Sequence, residues 1–181
     1  IRYIRDWIQG STSNTGNHWV QIAAWSANRA NMTITDAASN VAYLKSCTST
    51  DSGGSGRTIA QVTDGDTTST RYFGGGVTGY TYVQVDLNGL FDVDFVQVWH
   101  YNVDNRTYFQ HKIEVSQDGI NWIVAQQPEC NVKEISTGTY YLLMQDITGA
   151  VTFRLAQTEL QTAIANAVAK RGGSTPTFST I

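Results

Sequence analysis

The chain has 181 residues, enough for one substantial domain with a core of its own. Only 15% of residues are charged, against about 25% in ordinary soluble proteins, while nine Tyr, five Trp and abundant Thr, Ser, Gly and Asn suit an all-β extracellular or virion protein. A net charge of −3 without any Lys/Arg cluster leaves no footprint for a phosphate backbone and argues against nucleic acid as a partner; with no run of ~20 apolar residues, membrane insertion is not expected either.

Ile1 opens the chain without an initiator Met, which suggests a processed product or a piece of a longer polypeptide. Residues 1–25 hold two strand-like segments, marked by Tyr3, Ile4 and Trp7 and by Trp19, Val20 and Ile22, around the turn-rich GSTSNTGN. Residues 26–59 are polar and irregular, with an extended segment expected near 40–48. The SCTSTDSGGSGRT stretch after it reads as a flexible surface connection or as a rim loop of a binding face. Gly74-Gly75-Gly76 reads as a permissive turn, because a phosphate-cradling role needs a Lys-Ser/Thr and a following helix, and neither is there. Cys47 and Cys130 allow at most one disulfide; without framework spacing, two free thiols are the favoured alternative.

The stretch from Tyr82 to Trp122 carries the strongest pattern. Three period-two segments, Tyr82–Leu87, Phe95–Trp99 and Ile113–Val115, predict strands with one buried face. Asp118-Gly119 signals a tight two-residue hairpin turn. Between the second and third segments runs a long polar and aromatic loop, His100 to Gln110. Further strands are expected at Tyr140–Met144 and Val151–Leu155. Residues 157–171 place Leu160, Ile164, Ala167 and Val168 on one helical face, with Thr158 as N-cap and Gly172-Gly173 as the stop. This helix either packs on its own sandwich or serves as an oligomerisation arm, and an extended tail follows to residue 181.

Taken together, YVQVDL, DFVQVWHY, DNRTYFQHKIEVSQDGINW and the upstream AQVTDGD resemble the central part of a discoidin domain, also called the coagulation-factor type C domain. The resemblance implies a β-sandwich jelly roll of the galactose-binding type, here ending in a short C-terminal helix. In that family an RYIRLW-like strand and an HWVEIQAW-like strand close the domain, whereas here RYIRDW and HWVQIAAW open the chain. The favoured expectation is a circular permutation: residues 1–156 form the sandwich, with 1–25 supplying its closing strands, and 157–181 form the helix and tail; the competing reading makes residues 1–25 the tail of a preceding domain.

By the same resemblance, the 60–73 stretch implies a structural calcium ion. Asp64 and Asp66 are its anchors, Ser69 offers a hydroxyl or carbonyl, Gln61 a backbone carbonyl, and Gln21 stands where the family places a Glu. Six to eight hard oxygens suit Ca²⁺; the alternative is an Asp-Gly turn held by its own side chain, without metal.

The 100–110 loop is the ligand candidate. His100, Tyr101, Asn102, Asp104, Asn105, Arg106 and Tyr108, with Phe109, supply rings for the C–H faces of sugars and planar groups for their hydroxyls. The competing reading packs this loop inward, Arg106 pairing with Asp104. His111 is expected to be structural and His18 to line the same end of the sandwich. No G-x-S-x-G or H-E-x-x-H constellation supports catalysis. The sequence therefore points to a non-catalytic carbohydrate-binding or adhesion module of a phage virion or surface assembly, with cell-surface glycans, other virion subunits and a second copy of itself as partners. The alternative is a decoration or fibre protein that assembles without binding glycans.

Overall fold

The computed structural model describes residues 1–26, 33–146 and 149–151. Among these the chain is almost entirely β. The strands are β1 (Tyr3–Ile8), β2 (Gly16–Trp25), β3 (Ser46–Ser49), β4 (Phe73–Thr78), β5 (Thr81–Asp86), β6 (Phe95–His100), β7 (Thr107–Ser116), β8 (Ile123–Lys133), β9 (Thr139–Leu142), β10 (Met144–Asp146) and β11 (Gly149–Val151), with a single 3-10 turn at Ile59–Thr63. Two antiparallel sheets result, ordered β3-β5-β1-β7-β8 and β4-β2-β6-β9, with β10–β11 as a separate hairpin. The expected helix and tail at 157–181 lie outside the described residues, as do residues 152–155 of the last expected strand.

Residues 1–25 sit in the middle of both sheets. β1 is flanked by β5 and β7, and β2 by β4 and β6. The period-two pattern of β1 explains its placement. Ile4, Asp6 and Ile8 point inward, while Tyr3, Arg5 and Trp7 face out. Ile4, Ile8, Ile22, Val83, Val85 and Ile113 are fully buried between the sheets, and each such aliphatic side chain contributes about 1.5–3 kcal/mol.

β2 is buried on both faces. Trp19, Ile22 and Ala24 join the core between the sheets; Val20, Ala23 and Trp25 join a second cluster with Phe95 and Trp99 on the other side. Two residues of β2 pass one of β6 between Trp19 and Gln21. This bulge shifts the parity so that both Trp19 and Ile22 face inward. A similar irregularity in β7, between Tyr108 and His111, keeps both of those side chains inside.

Three local expectations change. Gly74-Gly75-Gly76 lies within edge strand β4 rather than in a turn, because the backbone of Asn17 presses so close that Gly74, at φ +111°, has no room for a Cβ. Asp118-Gly119 belongs to a six-residue connection between β7 and β8, not a two-residue turn. The Asp118 carboxylate accepts the N–H groups of Ile120 and Asn121 at 2.9 and 2.8 Å and holds the loop open. Residues 40–44 form turns rather than extended chain, pinned to β2 by the Asn40 side chain, which accepts the Ala24 N–H at 3.0 Å. Of the two cysteine readings, the favoured one holds for Cys47, which is a free thiol. Its strand and the strand of Cys130 are the opposite edges of the five-stranded sheet, a separation of about 19 Å at ordinary strand spacing, far beyond disulfide reach.

Candidate functional site

The β1–β2, β4–β5 and β6–β7 connections meet at one end of the sandwich. The Thr12 N–H donates to Thr107 O and the Tyr101 N–H to His18 O, while the Asn17 amide donates to Gly79 O at 2.8 Å. Over this end runs a column of alternating cations and rings. Arg57 lies 3.8 Å over Tyr72, Tyr72 meets His18 edge-on at 4.6 Å and Tyr101 at 5.4 Å, and Arg106 lies 4.5 Å over Tyr101. Beside the column is a cleft of about 330 Å³, lined among others by Ser11, Asn14, Thr15, Thr78 and Phe109. Asn14 links the two features, its Oδ1 lying 3.5 Å from Arg106 Nη1.

The seven residues expected to bind a ligand divide by depth. Asp104 and Asn105 are exposed, Tyr101 and Asn102 half-buried, and Arg106, His100 and Tyr108 buried. Arg106 forks onto Asp104 at 2.8 and 2.7 Å, so its guanidinium serves to hold the loop and stack on Tyr101. The same pair holds the Asp104 carboxyl well below the usual carboxylate range. His18 Nδ1 faces Arg106 Nη1 at 3.2 Å and the Tyr108 hydroxyl at 3.0 Å. Since the guanidinium only donates, that nitrogen accepts. Burial first, and the Arg106 charge second, push His18 down to about 4.

The residues expected to hold calcium gather on one shoulder, with each side chain already engaged. Asp64 and Asp66 are bridged by Arg71 at 3.1 and 2.5 Å. Their other oxygens accept the backbone N–H groups of Asp66 and Thr68. Gln21 Oε1 accepts the Gly65 N–H at 3.1 Å, Gln61 turns its side chain back to the Thr58 N–H, and the Ser69 hydroxyl accepts the Asn102 N–H at 2.7 Å. That last bond ties this shoulder to the ligand loop. The oxygens suit a hard cation, but the Arg71 guanidinium stands between the two carboxylates, so an ion can enter only if this half-exposed side chain swings aside.

A third constellation lies in the core; of its members only His100, as a ligand contact, and His111, as structural, stand out in the sequence. Asp6 on β1, His100 on β6, His111 on β7 and Glu134 after β8 are all buried. The Asp6 Oδ2 accepts the Trp19 indole N–H at 2.8 Å and faces His100 Nε2 at 2.8 Å; its Oδ1 faces His111 Nε2 at 2.6 Å. His100 Nδ1 faces Glu134 Oε1 at 2.7 Å. Burial alone lowers an imidazole pKa, but the two carboxylates outweigh it and carry His100 up to about 10. Burial likewise works against the Asp6 carboxylate, and the two imidazoles overcome it, pulling the group well below its ordinary range.

Asp6, His100 and His111 offer donor atoms within 4.8 Å of one another, a set that chemically suits a transition-metal ion. Protons account for the arrangement equally well, because both Asp6 oxygens sit at hydrogen-bond distance from N–H donors. Glu134, the remaining charged residue, faces the far nitrogen of His100 and not the space between the three. The cluster therefore acts as a polar clamp between the sheets. Period-two parity was the available signal: Asp6 shares the inward row with Ile4 and Ile8, His100 with Val96 and Val98, and His111 with Ile113 and Val115.

In comparisons with known proteins, no family model matches the chain, and no curated protein or solved structure is significantly similar to it.

Proposed function

We propose that the protein is a non-catalytic carbohydrate-binding module of the discoidin type, a permuted jelly roll that works at a virion or extracellular surface and engages cell-surface glycans through its loop end. The observation that carries the reading is the Arg57–Tyr72–Tyr101–Arg106 column beside an open cleft with Ser11, Asn14, Thr15 and Thr78 on its wall. Half-buried rings present C–H-stacking faces, and amides and hydroxyls supply the donors and acceptors that orient a sugar. Tyr101, Asn102, Asp104 and Asn105 are the contacts in this reading, while His100, Arg106 and Tyr108 position the loop from below. The gathering of Asp64, Asp66, Ser69 and Gln21 supports a calcium ion that braces the same loop, with Arg71 displaced.

A glycan array tests the reading, run with and without chelator on the wild type and on Tyr101→Ala. Binding that Tyr101→Ala loses supports it; a folded wild-type protein that retains no glycan overturns it. The assembly alternative has its own support in Ile120, Ile123 and Val124, which are exposed around the start of edge strand β8. A concentration-dependent oligomer that an Ile123→Lys variant dissolves would favour it.

A further inference from the structure

The outer face of the five-stranded sheet carries a row of rings that runs from Tyr80, in the β4–β5 connection at the loop end, to Trp122, in the β7–β8 connection. Tyr3, Arg5 and Trp7 point outward from β1, Tyr82 and Gln84 stand beside them on β5, and Lys112 and Glu114 on β7. Tyr80 extends the row 4.9 Å from Trp7, and Trp122 extends it 6.4 Å from Tyr3. The water-facing side of an antiparallel sheet is ordinarily polar, so five neighbouring aromatics there call for an explanation.

Cations are interleaved with these rings, and their partners do not balance. Arg2 pairs with Asp86 at 3.0 Å and Lys112 with Glu114 at 2.7 Å. The second Glu114 oxygen accepts the Trp7 indole N–H at 2.8 Å, so this carboxylate, the cross-strand neighbour of Arg5, is already engaged. Arg5 has only the neutral Gln84, whose Oε1 accepts its Nε–H at 2.9 Å; among the described residues no carboxylate forms an ion pair with it. Its guanidinium lies 3.7 Å from the Trp122 ring and 4.5 Å from the Tyr82 ring. With Nε engaged and the plane held by rings, the terminal N–H groups form a fixed fork, the geometry that takes a carboxylate in two parallel hydrogen bonds.

We propose that this face is a second binding site, for a sugar that bears a carboxylate, of the uronic or sialic acid class. The carboxylate pairs with the Arg5 fork, the sugar ring packs against the parts of Trp122 and Tyr82 that the guanidinium leaves uncovered, and Gln84 reaches a hydroxyl. A neutral sugar leaves the Arg5 charge unmatched, and an acidic peptide brings no rigid C–H face. The site shares only its ligand class with the loop-end reading and stands on different residues.

Trp122 lies in the site, so tryptophan fluorescence reports binding. The whole chain is titrated with trigalacturonate, its methyl ester, sialyllactose and lactose at low and high salt. At least one acid should bind, with its uncharged counterpart about tenfold or more weaker and affinity falling as salt rises. Arg5→Gln should lose about tenfold, Arg5→Lys less, and Tyr101→Ala nothing; circular dichroism confirms that each variant is folded. Equal binding of acid and uncharged counterpart, wild-type affinity in folded Arg5→Gln, or no binding of either acid overturns the proposal. Loss in Tyr101→Ala alone moves acid recognition to the loop end and overturns it too. If neutral glycans also fail to bind while Arg5-dependent acid binding persists, only the loop-end reading falls.

Discussion

His100 Nε2 lies 2.8 Å from Asp6 Oδ2, one residue from each sheet, with no water-exposed atom of consequence on either side chain. This contact bridges the two layers by charge, beside the Trp19–Asp6 and His18–Tyr108 hydrogen bonds, where the aliphatic core around it does so by apolar packing. Truncating the imidazole leaves Asp6 and Glu134 buried without their shared partner. His100→Ala should therefore cost about 3–5 kcal/mol, read by urea unfolding at neutral pH. Asp6→Asn should also destabilise the fold strongly, and the double variant should cost less than the sum of the two.

Stability should peak near pH 6.5. His100 is raised from 6.5 to about 10, so between those values the folded state binds more protons, and stability is lost as pH rises through the window. His18 is lowered from 6.5 to about 4. There the unfolded state binds more protons, and stability is lost as pH falls from 6.5 towards 4. Thermal melts across pH 4–10 check both limbs; His18→Gln should flatten the acid limb and leave the alkaline one.

Arg71 should compete with calcium. Removing the guanidinium that bridges Asp64 and Asp66 opens the shoulder, so millimolar calcium should raise the melting temperature of Arg71→Ala more than that of the wild type. Asp64→Asn in the same background should abolish the increment. Equal shifts in all three proteins would count against calcium at this loop.

Gly138→Ala should destabilise the fold by about 2 kcal/mol or more, because a left-handed residue with a side chain costs roughly 1–2 kcal/mol by itself. Here φ is +71°, and a Cβ would stand 2.5 Å from the Trp99 ring, so that ring must move as well. Near-ultraviolet circular dichroism of the aromatic cluster and an unfolding curve report the two effects separately.

Alternation made most strands legible in the sequence, because a side chain at every second position meets the same layer. It placed β1, β2, β5, β6 and β7, and it held the signal for the Asp6–His100–His111 row. What alternation does not carry is the effect of close backbone approach. The three glycines of β4 have the composition of a turn, and only the nearness of Asn17 makes them a strand. Nor does local sequence reveal depth in a loop: Tyr101 and Arg106 both belong to the same polar connection, yet Tyr101 stays half-exposed while its pairing with Asp104 holds Arg106 buried. The row of rings on the outer face was hidden for a further reason, since Tyr3, Tyr82 and Trp122 come together only once three distant segments are registered.

The position of β1 also determines the order in which the molecule can assemble. The strand is synthesised well before its two neighbours, β5 and β7, so Trp7 reaches its partner Glu114 across 107 positions of chain. Until residue 116 is available, β1 has one or no strand to lean on. Folding governed by such distant pairings belongs to the slow, millisecond-to-second regime. A ribosome making this stretch thus leaves Ile4, Trp7 and Ile8 without both flanking strands until β7 has emerged, and only then can the sheet close around β1.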